Sequence, residues 1–124
     1  MTKRIAILGS TGSIGKNTLR VIDALGPGYE VIALSAHSSV ELLASQARRY
    51  KPRFVAITNT DYFQQLRSSI ADLDIEVLSG PDSLVEIVEL EEADIILTAV
   101  VGAAGLPAIL AAMRKGKTLA IASS

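Results

Sequence analysis

Residues 5–15 read IAILGSTGSIG and decide the fold, because they place three glycines directly after a short apolar run. Residues 5–8 are typical of a strand that is buried on both faces of a parallel sheet. Beyond Gly15, apolar residues recur on roughly one helical face until Gly26 and Gly28 end the pattern. A strand, a glycine turn and a helix in this order predict a dinucleotide-binding loop, whose backbone comes close to a pyrophosphate.

The spacing of Gly9, Gly12 and Gly15 is G-x-x-G-x-x-G, one residue different from the common G-x-G-x-x-G pattern. A phosphate-binding P-loop is the nearest competitor. It requires glycine where Ser10 stands and serine or threonine where Asn17 stands, so that motif is excluded. The remaining alternative is a glycine turn that serves only to pack the strand against the helix.

The composition indicates a single α/β domain with no special partner. The chain has 124 residues, of which 49% are hydrophobic and only 4% aromatic, so its core is aliphatic. The net charge of −1 is spread along the chain and indicates neither nucleic acid nor a membrane surface as partner. The absence of cysteine excludes disulfides and thiolate ligands. Residues 1–4 lead directly into the first strand, which favours a cytoplasmic protein without a targeting peptide.

Strand-like and helix-like segments alternate along the whole chain. Further strands are predicted at residues 29–35, 53–58, 75–78, 94–97 and 117–122. Helices are predicted at residues 40–50, 61–71 (capped by Asn59 or Thr60), 81–90 and 105–115. This alternation predicts an α/β fold, a Rossmann-type doubly wound parallel sheet of about six βα units in three αβα layers. We expect one cofactor-binding domain over residues 1–124, and the stop at the end of a strand suggests an N-terminal fragment.

Residues 95–113 carry no charge and are long enough to span a bilayer. However, their first part is rich in β-branched residues, and Gly102, Gly105 and Pro107 interrupt the middle. A strand, a turn and a helix therefore explain this segment better than one membrane helix.

The loop after the second strand favours NADP over NAD. Ligands of such sheets bind beyond the carboxyl ends of the strands. NAD-binding domains usually place a carboxylate here, but the loop reads His37-Ser38-Ser39 and has no acid before Glu41. Two hydroxyls and an imidazole suit a 2′-phosphate, although the usual arginine is absent. We interpret His37 as a cofactor or surface contact rather than a catalyst, and Ser38 or Ser39 as a helix N-cap as well.

The loop after the fifth strand, residues 98–107, is built of small residues. They either let a nicotinamide ring approach the sheet or allow close helix packing, and the sequence leaves both open. The acidic residues nearby are interpreted as a solvated face rather than a metal site: Glu86, Glu89, Glu91, Glu92 and Asp94.

Several motifs together resemble one enzyme family. The glycine loop at residues 9–15 is followed by VIALSA at 31–36, VLSG at 77–80, VVGAAGL at 100–106 and GKT at 116–118. In the same order, these resemble the N-terminal third of 1-deoxy-D-xylulose 5-phosphate reductoisomerases. The resemblance implies conversion of deoxyxylulose phosphate to 2-C-methyl-D-erythritol 4-phosphate in non-mevalonate isoprenoid biosynthesis. It also implies NADPH, a divalent metal (Mg or Mn) and a homodimer.

The resemblance also implies roles for individual residues. The residues implied to hold the cofactor pyrophosphate are Thr11, Gly12, Ser13 and Ile14. His37, Ser38 and Ser39 fall where the family surrounds the 2′-phosphate, and the nicotinamide would lie near Ala103 and Ala104.

The family reads Ala-Asn-Lys-Glu after the sixth strand, where this chain reads Ala122-Ser123-Ser124. Ser123 therefore takes a cofactor-binding position and Ser124 a substrate-binding one. The metal ligands of the family would follow residue 124. Two alternatives stay open: the cofactor domain of another NADP-dependent dehydrogenase, of the aspartate-semialdehyde dehydrogenase type, and a non-catalytic nucleotide-sensing module.

Overall fold

A computed structural model describes residues 2–122 and places six strands in one parallel sheet. The strands are β1 (Lys3–Leu8), β2 (Tyr29–Ala36), β3 (Phe54–Ile57), β4 (Glu76–Ser79), β5 (Ile95–Thr98) and β6 (Thr118–Ile121). Their order across the sheet is β4-β3-β2-β1-β5-β6. Parallel pairing requires a crossover between consecutive strands, and helices supply it.

Among the described residues, five α-helices connect these strands. They are α1 (Ser13–Leu25), α2 (Val40–Tyr50), α3 (Phe63–Ser69), α4 (Ser83–Val88) and α5 (Leu106–Arg114). Two short 3₁₀ turns, Thr60–Tyr62 and Gly102–Gly105, precede α3 and α5.

The helices form two layers, one on each face of the sheet. Leu19 of α1, Leu43 of α2 and Leu66 of α3 share one buried cluster. Ile87 of α4 and Ala111 of α5 belong to a second buried cluster. The predicted three-layer, doubly wound α/β fold is confirmed.

The first helix starts earlier than the sequence pattern indicated. We expected it beyond Gly15, whereas α1 begins at Ser13 with Gly12 as its N-cap. Ile14 was the one apolar residue of this first turn, because Ser13 is polar and exposed and Gly15 has no side chain to contribute. The third glycine therefore lies inside the helix rather than before it.

The third and fourth helices are shorter than predicted. The Asn59 side chain accepts a hydrogen bond from the Asp61 N–H at 3.0 Å, as the predicted cap requires, but the first turn is 3₁₀ rather than α. Before α4, Gly80 has a positive φ of 94°, and the Ser83 hydroxyl donates to its carbonyl oxygen at 2.6 Å. This turn carries Pro81, which we had placed in the helix.

Residues 95–113 form β5, a 3₁₀ turn and most of α5, as predicted. Within residues 2–122, no helix combines the length and the apolar character that crossing a bilayer requires.

Candidate functional site

The strand order reverses direction between β1 and β5, which are neighbours in the sheet. The chain leaves β1 for the α1 layer and leaves β5 for the α5 layer, so a crevice opens between the two loops. A cleft of about 890 Å³ lies here, within the range of ligand-binding cavities. It is lined by Gly9, Thr11, Gly12, Ser13, Ile14, Ser35, Ala36, His37, Thr58, Pro81, Asp82, Leu84, Ala99, Val100, Val101, Ala104 and Pro107.

Each of the three loop glycines is required for a different structural reason. Gly9 has a φ of +79°, and a Cβ there would lie 3.2 Å from the backbone of Ala99. A Cβ on Gly15 would lie 2.5 Å from Cα of Ser10, so this glycine lets α1 pack on the loop. A Cβ on Gly12 would meet no atom within 4 Å. Gly12 therefore leaves space at the cleft rather than inside the protein.

The start of α1 presents free backbone donors at the cleft. Gly12, the N-cap, has extended backbone angles (φ −78°, ψ 176°) and makes no side-chain capping bond. Within residues 2–122, the N–H groups of Thr11 and Gly12 have no backbone or side-chain acceptor. The first N–H groups of a helix also lack intrahelical partners and carry the positive end of its dipole. This arrangement suits a phosphate or pyrophosphate.

The charge of the cleft comes mainly from backbone dipoles. The lining residues within the described chain include no lysine or arginine, and their single carboxylate is that of Asp82. A bound anion would therefore rely on N–H groups at the loop and on the imidazole of His37.

The loop after β2 brings one of its three predicted residues to the cleft. His37 lines it, and its Nδ1 lies 2.8 Å from Oγ1 of Thr58 at the end of β3. Ser38 and Ser39 are not among the lining residues. Ser39 is the N-cap of α2, as predicted, although its hydroxyl makes no capping hydrogen bond. The nearest acid along the chain, Glu41, is exposed in the first turn of α2.

The loop after β5 lines the cleft at some residues and packs closely at another. Gly105 is buried, and a Cβ there would lie 3.2 Å from the carbonyl oxygen of Val100, so it permits close packing. Ala104 and Pro107 line the cleft, whereas Ala103 is exposed outside the lining. Ser123 and Ser124 lie outside the described residues.

Sequence reasoning missed several polar residues of this region. Ser35 near the end of β2, Thr58 directly after β3 and Asp82 at the N-cap of α4 line the cleft. Gln46, on α2, is only 7% exposed and hydrogen-bonds Ser10 in the glycine loop. Its position beside the apolar residues of α2 was a signal in the sequence, since a polar residue on a buried helix face needs a partner.

Within the part of the chain that the structure describes, no three histidine, aspartate or glutamate side chains lie close enough to hold a metal ion. The resemblance places the metal ligands of the family after residue 124, outside the described residues.

A parallel doubly wound sheet with a helix N-terminus at its switch point defines the class of Rossmann-type nucleotide-binding domains. The family model described as 1-deoxy-D-xylulose 5-phosphate reductoisomerase matches residues 5–123. The chain belongs to this family, and the resemblance stated above is confirmed.

Individual relatives match the whole chain but only part of their own length. The reductoisomerase of Halothermothrix orenii is 44% identical over 99% of this chain and 32% of its own length. A solved reductoisomerase of Zymomonas mobilis in complex with NADPH superposes with a TM-score of 0.92 at 39% identity, over 99% of this chain and 32% of that one. Another, in complex with magnesium, gives 0.95 at 38% identity, over 99% and 31%. The chain spans about a third of the length of these relatives.

Proposed function

We propose that residues 1–124 are the NADPH-binding domain of a 1-deoxy-D-xylulose 5-phosphate reductoisomerase. The observation that carries the proposal is the open glycine loop, where free N–H groups at the start of α1 meet an empty space beside Gly12. The Zymomonas mobilis enzyme in complex with NADPH has the same fold over this region. Its cofactor supports NADPH as the ligand of this chain.

The residues present fit this cofactor. The pyrophosphate would be held by Thr11, Gly12, Ser13 and Ile14, which line the cleft at the helix N-terminus. Next to this loop, His37 would contact the 2′-phosphate, with Ser38 and Ser39 completing the surroundings. NADPH supplies a hydride when bound, and the protein's part is to orient its nicotinamide near Ala103 and Ala104. Ser123 is a proposed cofactor contact and Ser124 a proposed substrate contact.

For the whole protein we propose the conversion of deoxyxylulose phosphate to 2-C-methyl-D-erythritol 4-phosphate. Within residues 2–122 no group of side chains could hold a metal ion. The phosphosugar site and the ligands of a magnesium or manganese ion would therefore come from outside these residues. We propose a cytoplasmic homodimer with no nucleic-acid or membrane partner. The family assignment does not favour an aspartate-semialdehyde dehydrogenase or a stand-alone nucleotide sensor.

The test replaces Gly12 with valine and measures NADPH affinity by calorimetric titration. We expect binding to be lost, because the side chain fills the space that the pyrophosphate needs. The fold should remain, since a Cβ at Gly12 meets nothing within 4 Å.

The matched control is Gly28→Val. This glycine also has open space around a Cβ but lies before β2, outside the cleft lining. We expect it to leave the affinity unchanged. Equal NADPH affinity for Gly12→Val and the parent chain would refute binding at this loop.

A further inference from the structure

Gln46 connects the middle of α2 to the glycine loop through a buried polar network. Its Nε2 donates to the backbone oxygen of Ser10 at 2.9 Å, and its Oε1 lies 2.7 Å from the Ser10 hydroxyl. Ser10 is fully buried and Gln46 is 7% exposed. A carbonyl oxygen only accepts hydrogen bonds, so the nitrogen of the amide must face Ser10 O, and the Ser10 hydroxyl donates to Oε1.

The end of β2 holds the same loop from the other side. The Ser10 N–H donates to the Ser35 carbonyl oxygen at 2.8 Å, and the Gly9 N–H donates to the Ser35 hydroxyl at 2.9 Å. Every polar group of Ser10 therefore has a partner. Such networks fix one conformation, because leaving a buried polar group without its partner is costly.

Planarity of the peptide bond carries this constraint to the cleft. In a trans peptide the C=O of one residue and the N–H of the next point in opposite directions. The Ser10 carbonyl points inward to Gln46, so the N–H of Thr11 points in the opposite direction. Thr11 itself lines the cleft. This N–H has no acceptor within residues 2–122.

We propose that Gln46 is a positioning residue for the cofactor: it orients the Ser10–Thr11 peptide so that the Thr11 N–H donates to the pyrophosphate. The inference rests on the proposed NADPH binding and adds a residue on α2 that does not itself line the cleft. Without the amide donor, the peptide is free to rotate and the N–H is no longer held toward the anion.

The first test is Gln46→Met in the purified chain, because methionine has a similar length but no hydrogen-bonding amide. We expect the Kd for NADPH to rise about tenfold, the worth of one buried hydrogen bond. Adenosine 2′-monophosphate has the 2′-phosphate but no pyrophosphate, so its Kd should change less than twofold. Ile70→Val, a buried change at the C-cap of α3 and outside the cleft lining, is the stability control and should leave both affinities unchanged.

A second variant, Gln46→Glu, adds a pH readout that a loss of packing does not produce. An ionised carboxylate has no hydrogen to donate and repels the Ser10 carbonyl, whereas a protonated carboxyl has one donor and one acceptor, as the amide does here. We expect NADP⁺ affinity relative to the parent chain to be about tenfold lower at pH 8. It should recover as the pH falls toward 5.

The possible failures are distinguishable. If the parent chain binds no NADPH, the proposed function fails and this inference fails with it. If the parent binds but folded Gln46→Met binds NADPH equally well, only the positioning role is refuted. Equal weakening of NADPH and adenosine 2′-monophosphate would also refute it, since Gln46 would then support the whole cleft rather than one peptide.

Discussion

At the scale of single residues, we predict that the loop after β2 decides which nicotinamide cofactor is preferred. A carboxylate at this place selects NAD, because it accepts the ribose hydroxyls and repels a phosphate. Residues 37–39 contain none, and Ser39 is the N-cap of α2, whose N-terminus favours an anion. No guanidinium adds a charge-assisted bond here, so we expect NADPH to be preferred over NADH by about 1–3 kcal/mol.

Ser38→Asp should reverse this preference, because it places a negative charge beside the 2′-phosphate. Ser38→Asn has almost the same shape without the charge and should keep the preference. Titrations of the parent chain and both variants with NADPH and NADH would measure the six affinities. Equal affinity of the parent chain for the two cofactors, together with no effect of either substitution, would show that this loop does not contact the 2′-position.

The sequence pointed to the residues of the loops more readily than to the residues that hold the loops in place. Three glycines after an apolar run predicted the turn between β1 and α1, and residues of this turn line the cleft. The distinct roles of Gly12 and Gly15 required coordinates, since only the packing of Ser10 against α1 separates an open position from a closed one. His37 and Thr58, which are in contact, follow β2 and β3 and are 21 residues apart in sequence. No local sequence pattern encodes this contact.

At the scale of elements, Arg4 of β1 and Asp94, directly before β5, are joined by an ion pair of 3.5 Å and by two hydrogen bonds of the Arg4 backbone. The Arg4 N–H donates to Oδ2 of Asp94 at 2.9 Å, and the Asp94 N–H returns a bond to the Arg4 carbonyl at 2.9 Å. The backbone hydrogen bond from Arg4 is the main reason that the pKa of Asp94 lies below its ordinary value of 3.8, with the Arg4 charge acting in the same direction.

Asp94→Asn should therefore lower the melting temperature at neutral pH, and the difference should vanish in acid. A depressed carboxylate pKa stabilises the folded state above the ordinary pKa, and this stability is lost as the pH falls through the lowered one. The carboxylate is 35% exposed, so solvent screening limits the effect to at most about 4 °C. Glu91→Gln, an exposed change in the preceding loop, is the control for thermal melts between pH 7 and 2.5. A difference that persists at pH 2.5 would contradict the argument.

Strands and helices were predictable wherever periodicity extended over several residues, as in α2, which has the predicted bounds. The ends of elements were not, because hydrogen bonds decide them. The hydrogen bond from the Ser83 hydroxyl to the Gly80 carbonyl forms a turn, so α4 begins only at Ser83. Residues Gly102–Gly105 form a 3₁₀ turn instead of extending α5.

At the scale of the whole molecule, the cleft we propose for the cofactor offers, within residues 2–122, backbone N–H groups for an anion but no groups for the reaction of the family. Its lining is mostly backbone and small side chains, with Asp82 the single carboxylate among the described residues. Reduction of a phosphosugar with rearrangement needs the substrate held beside the nicotinamide and its oxygens polarised, as a metal ion does. The described residues hold no cluster for such an ion.

We therefore predict that the purified 124-residue chain binds NADPH but does not turn over deoxyxylulose phosphate, even with Mg²⁺ or Mn²⁺ present. Absorbance at 340 nm would follow NADPH oxidation after substrate is added, with the full-length Halothermothrix orenii relative as the positive control. A flat trace beside a clear calorimetric binding signal would separate cofactor binding from catalysis. Metal-dependent oxidation that requires the substrate would instead mean that ligands outside residues 2–122, or groups brought together only on binding, assemble a catalytic site on this chain.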